Sequence, residues 1–276
     1  MKTRLIAVMT ALLAGIATAQ TTYVAKEYGF SGPDKLKAGY LELQMQNAGR
    51  QPFMMMVLGL KPGTSKPELL AALKKTMTLG HDAKAWGQLY ARVVAHGGVG
   101  MTLPGQTGKV GLVLTPGRYA LIAPGADGKG QPLTELGMVK LIEVVAQGKP
   151  TAMPKTDLKV PMYDFAFAFS GGLKPGKQTW EIVNNGQEPH ELVMVRVRPG
   201  KTVQEAIAFM HAENPQGEPP VDFSSMVATG IVSEGQRMAL EVNLQKGTYL
   251  VTCFLPALKN SKPHHDLGME MSFEVK

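Results

Sequence analysis

The chain has 276 residues, a formal charge of +7, 44% hydrophobic residues and a single cysteine, Cys253. One cysteine excludes an intramolecular disulfide framework, and no segment beyond the N-terminus approaches the roughly 18 uninterrupted apolar residues of a transmembrane helix. Lys and Arg outnumber the acids 29 to 22 but are scattered without interleaved aromatics, the pattern of a solvated basic surface and not of a nucleic-acid site.

The N-terminus carries two positive charges in Met1–Arg4, an apolar run from Leu5 to Ala17 and the small-residue site Ala17-Thr-Ala19. That order predicts a cleavable export signal over residues 1–19, with a mature chain beginning at Gln20 in a secreted or periplasmic setting. No cysteine lies near the cleavage site, which argues against a lipoprotein anchor. The basic surface is compatible with an anionic envelope or an acidic redox partner.

From Gln20 onward the chain reads as strands interrupted by turns, and it reads so twice. In the first half a strand-like run, Gly39 to Met45, leads through Asn47-Ala-Gly49 into an alternating strand that starts at Phe53 and ends at Pro62-Gly63. In the second half Lys177 to Ile182 leads through Asn184-Asn-Gly186 and His190 to Pro199-Gly200, without a gap relative to the first. Upstream, Tyr28-Gly-Phe30 is matched to Tyr163-Asp-Phe165. Each half then carries an insertion of helical character, Ser65 to His96 and Val203 to about Met226. The second opens with Thr202 as N-cap, Glu205 three residues on, and Val203, Ile207 and Met210 on one face, a capping-box pattern. The first places Leu69, Leu70 and Leu73 similarly. Near the ends, Gly117–Ala123 pairs with Gly247–Cys253, and Pro132–Met138 with Pro263–Met269. A Pro/Gly-containing linker, Gly148 to Pro154, separates the halves. The expected domains are therefore residues 20–147 and 155–276, two homologous β units.

The differences between the copies carry the chemistry. His190 stands opposite Phe53, Cys253 opposite Ala123, and His264 opposite Leu133, while Met269 retains a counterpart in Met138. Three metal-ligating side chains are present together in one copy and replaced together by apolar ones in the other, which core histidines acting independently would not do. A lone thiol in an oxidising compartment, grouped with imidazoles and a thioether, points to copper. Met54-Met-Met56 reads as alternating core filler in preference to a copper-chaperone motif. His81, His96 and His211 read as surface or capping residues, with His211 placed to approach the site.

With these residues in view, the second half resembles the cupredoxins, the blue-copper β-sandwich proteins, and the first half does so more weakly. The resemblance rests on His190 after Asn184-Asn-Gly186 and Pro189, then Cys253, His264 and Met269 in family order, the last two with four residues between them. It implies an all-β fold of two tandem cupredoxin-like Greek-key sandwiches, each with a helical insertion. It also implies one type 1 copper ion held by His190, Cys253 and His264, with Met269 axial. Such a site supports single-electron transfer to a redox partner protein; storage or delivery of copper is the other reading. His265 is the alternative to His264 as ligand, or a solvent-facing edge where electrons enter. Two features depart from the small family members: ten residues separate Cys253 from His264, and Glu191 follows the first histidine where Asn is usual. The chain has no His-x-His pair of the kind a trinuclear copper cluster requires, so a non-enzymatic role is expected.

Overall fold

Alternation of apolar side chains decides where the strands lie. In Gly39–Asn47, Leu41, Leu43 and Met45 face one way and are buried; in Gly176–Asn184, Gln178, Trp180 and Ile182 do the same. A period of two with one face buried fixes register, because a one-residue slip would turn each set into solvent. The computed structural model describes residues 20–276; the expected export signal, 1–19, lies outside the described residues.

The architecture is all-β, two tandem sandwiches with helical insertions. One eight-stranded sheet runs, in spatial order, Ala166–Phe167, Leu158–Tyr163, Gly176–Asn184, Arg237–Leu244, Thr107–Leu114, Gly39–Asn47, Gln20–Lys26 and Gly29–Ser31. Its first four strands come from the second half of the chain and its last four from the first half. The two groups join through the pairs Met238↔Leu112 and Ala239↔Gly111. A five-stranded sheet (Lys35–Lys37, Val139–Val145, Gly117–Ile122, Phe53–Leu60, Val93–Thr102) completes the first half. A four-stranded sheet (Val221–Ala228, Val193–Val197, Gly247–Thr252, Glu270–Val275) completes the second. Apolar residues of all three sheets form one continuous core.

The duplication extends to side-chain detail. Tyr119 donates its hydroxyl proton to the Thr115 carbonyl at 2.8 Å, and Tyr249 donates to that of Gln245 at 3.1 Å. The first strands correct one expected match. Tyr23 pairs with Met45 as Val160 pairs with Ile182, and Lys26 pairs with Gly29 as Tyr163 pairs with Ala166. Tyr28 therefore corresponds to Phe165 and not to Tyr163. Two similar aromatic triplets concealed a two-residue offset that only the ladder resolves.

The first insertion forms two helices, α1 (Lys66–Leu79) and α2 (Ala83–Tyr90), capped by Ser65 and Asp82; α1 buries Leu69, Ala72 and Leu73. It ends earlier than expected. His96 belongs to the strand Val93–Thr102 and is buried, where the sequence suggested a surface position. A short helix, α3 (Leu133–Leu136), follows later in the first half. In the second half α4 (Val203–His211) has the expected capping box, with the Glu205 amide donating to Thr202 Oγ1 at 3.1 Å. Its residues Val203, Ile207 and Met210 pack on a small separate core. Met55 and Met56 are core residues, as filler should be. Among the described residues no helix is long and apolar enough to cross a membrane.

Candidate metal centre

The site is assembled from three loops at one end of the second sandwich. His190 lies just before the strand Val193–Val197, Cys253 just after Gly247–Thr252, and His264 opens a single 3-10 turn, His264–Leu267. The Cys253 amide donates to the Met269 carbonyl at 3.2 Å, and the Met269 amide to the His264 carbonyl at 2.9 Å, so one knot of backbone bonds holds three of the four expected ligands. The first half ties the same knot: Ala123 donates to Met138 at 3.1 Å and Met138 to Leu133 at 2.9 Å. There Phe53, Ala123, Leu133 and Met138 form a buried apolar plug.

In the second half the knot brings donors together. His190 Nδ1 and His264 Nδ1 are 3.0 Å apart, and Cys253 Sγ is 3.4 Å from His264 Nδ1. His190, Cys253, His264 and Met269 are all fully buried. Metal–nitrogen bonds of about 2.0–2.1 Å and metal–sulfur bonds of about 2.3 Å would set donors some 3.3–3.6 Å apart, so the triangle is near the size one ion requires. The donor chemistry fits copper: two imidazoles and a thiolate, with a thioether in the same pocket. His264 Nε2 is buried with no hydrogen-bond partner, and its other ring nitrogen faces the centre.

Protonation follows from burial. Desolvation lowers His190, and it takes His264 down to about 3 with help from His190, so both rings are neutral with lone pairs available. Burial, and then the Glu191 carboxyl, push the Cys253 thiol far above its ordinary value. The sulfur therefore carries its proton until a cation displaces it.

Surrounding residues orient the donors. Asp164 Oδ1 lies 3.1 Å from His190 Nε2 and accepts the amides of Gln187 and Glu188, each at 2.9 Å. That contact places the imidazole proton on Nε2 and leaves Nδ1 free, the carboxylate–histidine arrangement typical of metal ligands. Burial opposes ionisation of Asp164, but the two amides and His190 outweigh it and hold the carboxyl below its usual range. Glu191 ties the loop that carries His190 to the one that carries Cys253. Its amide donates to Cys253 Sγ at 3.5 Å, and its carboxylate accepts the Phe254 amide at 3.3 Å. Burial raises this carboxyl to about 7.

The long segment between Cys253 and His264 folds back on itself. Pro256 bridges to Pro263, the Ala257 amide donates to the Lys262 carbonyl at 2.8 Å, and the His264 amide to that of Leu255 at 2.8 Å. Glu188 pins it by accepting the Leu258 amide at 3.0 Å, and Glu188 Oε2 sits 4.0 Å from His264 Nε2. This hairpin explains how ten residues are accommodated, and with Glu188 it covers the His264 edge. His265 lies outside the donor triangle and stacks on His211, the last residue of α4, at 3.8 Å between ring centroids. Its amide donates to the Cys253 carbonyl at 3.1 Å.

The first half also reaches the centre. Segment Ile231–Ser233 is bonded on one side to Ala95 and Gly97 (Gly97 N to Ile231 O, 2.7 Å; Ser233 N to Ala95 O, 2.8 Å). On the other it is bonded to His190 (Val232 N to His190 O, 2.7 Å). Tyr90, at the end of α2, has a buried hydroxyl with no hydrogen-bond partner. Burial first, then the neighbouring Glu191, Cys253 and Glu188, hold it well above its ordinary value. Asp164, Glu188 and Tyr90 were not anticipated from the sequence. Asp164 had a signal: correctly aligned it stands opposite Glu27, whose carboxylate accepts the Arg50 amide in the equivalent loop. Tyr90 had none, because its counterpart region in the second half is built differently.

No family model matches the chain, and no curated protein matches it. Solved structures do. Auracyanin from Roseiflexus castenholzii is 18% identical over 43% of this chain and 94% of its own, with a TM-score of 0.29. Auracyanin A of Chloroflexus aurantiacus, described as a "blue" copper protein, is 13% identical over 48% of this chain and 100% of its own, with a TM-score of 0.33. Copper nitrite reductase from Nitrosomonas europaea is 15% identical over 94% of both chains, with a TM-score of 0.27.

Proposed function

We propose that residues 155–276 form a domain holding one type 1 copper ion, in an exported protein that passes single electrons to a partner. The ligands in this reading are His190 Nδ1, Cys253 Sγ and His264 Nδ1, with Met269 as the axial thioether and His265 excluded. The observation that carries it is the buried triangle of two imidazole nitrogens and one sulfur, 3.0 Å and 3.4 Å on its two measured edges. Copper in such a set alternates between Cu(I) and Cu(II) and so supplies one-electron chemistry. The chain's own residues keep both imidazoles neutral, fix the His190 tautomer through Asp164, and exclude water. Residues 20–147 act in this reading as a second domain without ligands that buttresses His190 through Ile231–Ser233.

Purified protein loaded with Cu(II) should show a strong thiolate-to-copper absorption at about 600 nm that disappears in Cys253→Ala. Absence of bound copper would sink the ligand assignment. A second reading, storage or delivery of copper, is favoured by one feature: His264 is fully buried, with its Nε2 edge turned towards Glu188 and not to solvent. Electron exchange through that imidazole edge would then be hindered. Reversible voltammetry of the loaded protein separates the two, since a carrier cycles rapidly and a buffer does not.

A further inference from the structure

Among the described residues a second group of metal-ligating side chains converges outside the Cys253 centre. His211, His265 and Asp266 each offer a ligand atom, and these atoms all lie within 4.8 Å of one another. They come from separate elements: His211 ends α4, and the other two belong to the turn that begins at His264. The two imidazoles stack at 3.8 Å with their planes 29° apart.

Two observations indicate a ligand. His265 Nδ1 is buried without a hydrogen-bond partner, although Asp266 Oδ1 is only 3.1 Å away. A buried unpaired nitrogen is costly, and an ion between the two atoms would satisfy both. In addition, Glu270 Oε2 lies 2.8 Å from His211 Nε2, with the Glu270 side chain only 14% exposed. The carboxylate accepts a hydrogen bond from Nε2–H and leaves Nδ1 of His211 with its lone pair, which is how metal-bound imidazoles are oriented.

We propose that His211, His265 and Asp266 form a second metal site, with Glu270 orienting His211. Two imidazoles and a carboxylate with no thiolate select a divalent borderline ion such as Zn(II), Ni(II) or Cu(II) over Cu(I). Asp266 is exposed, with 54% of its side chain accessible, so the site faces solvent and keeps a position for water. The ion would clamp the end of α4 onto the turn that carries His264.

The test is a calorimetric titration with Zn(II) of full-length protein carrying Cys253→Ala, which removes the thiolate of the first centre. One zinc per chain is expected, with affinity reduced at least tenfold by adding His211→Ala and about 10–100-fold by adding Glu270→Gln. Neither residue belongs to the His190/Cys253/His264 set, so zinc held by the remaining histidines of that set would be unaffected by them. Circular dichroism checks that each variant is folded, and the exposed Asp266→Asn replaces any that is not. Unchanged zinc affinity in these variants, or no zinc binding in Cys253→Ala, would overturn the proposal. The titration contains no copper, so its outcome is separate from that of the copper reading.

Discussion

Asn184 and Asn47, one in each half, make the same three hydrogen bonds. The Asn184 amide donates to the carbonyls of Glu188 and Val232, both at 2.8 Å, and its oxygen accepts the Gly186 amide at 2.8 Å. Asn47 donates to Gln51 at 2.9 Å and Thr102 at 2.8 Å, and accepts from Gly49 at 2.9 Å. Both are fully buried, so each braces a turn and ties it to a segment distant in sequence. Truncation to alanine leaves buried backbone groups unpaired, at about 1–3 kcal/mol for each group that finds no water. Asn47→Ala and Asn184→Ala should therefore lower urea midpoints comparably. Only Asn184→Ala should also weaken copper binding, because its turn presents His190. Equal loss of copper in both variants would contradict this division of labour.

Asp164 reaches the centre through His190 Nε2. Asp164→Asn preserves the shape and can still accept from the Gln187 and Glu188 amides, but it weakens the preference for a proton on His190 Nε2. Copper affinity, measured by competition with a chromophoric chelator, should fall about 10–100-fold while the urea midpoint changes little. A purely structural role would reverse that pattern.

Copper uptake should release a proton. The Cys253 thiol is held far above its ordinary value by burial and Glu191, whereas His264 is held at about 3 and is already neutral. The thiol must lose its proton on binding, and the imidazoles have none to lose. Above neutral pH, where the imidazoles carry no proton, the apparent affinity should rise roughly tenfold per pH unit. A slope near two would mean that a histidine is protonated in the empty site.

The convergence of His190, Cys253 and His264 was legible because the first half supplies a comparison within the same chain: Phe53, Ala123 and Leu133 mark the equivalent positions. The two-sandwich fold was legible from strand alternation and from Asn-Gly turns repeated in register. What surrounds these three side chains was not. Asp164 and Glu188 act through loops that meet only after the sandwich closes, and Tyr90 arrives from the other half on α2. The pairing of Thr107–Leu114 with Arg237–Leu244 was equally hidden, since pairing between tandem units leaves no periodic trace in either one. His96 misled for the same reason: in sequence it ends a polar insertion, but it is buried where Gly97 meets Ile231.

His96 should make the fold sensitive to acid. Burial lowers its pKa from 6.5 to about 4 in the folded chain. Above pH 6.5 both folded and unfolded states are neutral at this residue, and it contributes no pH dependence. Between pH 6.5 and 4 the unfolded chain takes up a proton that the folded chain refuses, so stability falls as pH drops. The loss totals about 3 kcal/mol and is complete below the folded value. His190 and His264 shift in the same direction, so a single wild-type titration does not isolate His96. Replacing the ring with an aromatic that cannot titrate does. In His96→Phe the difference in unfolding free energy between pH 7 and pH 4.5, from urea melts, should shrink by about 2–3 kcal/mol relative to wild type. An unchanged difference would mean that His96 is protonated in the folded protein, and that the junction between the halves admits water at Ala95–Gly97.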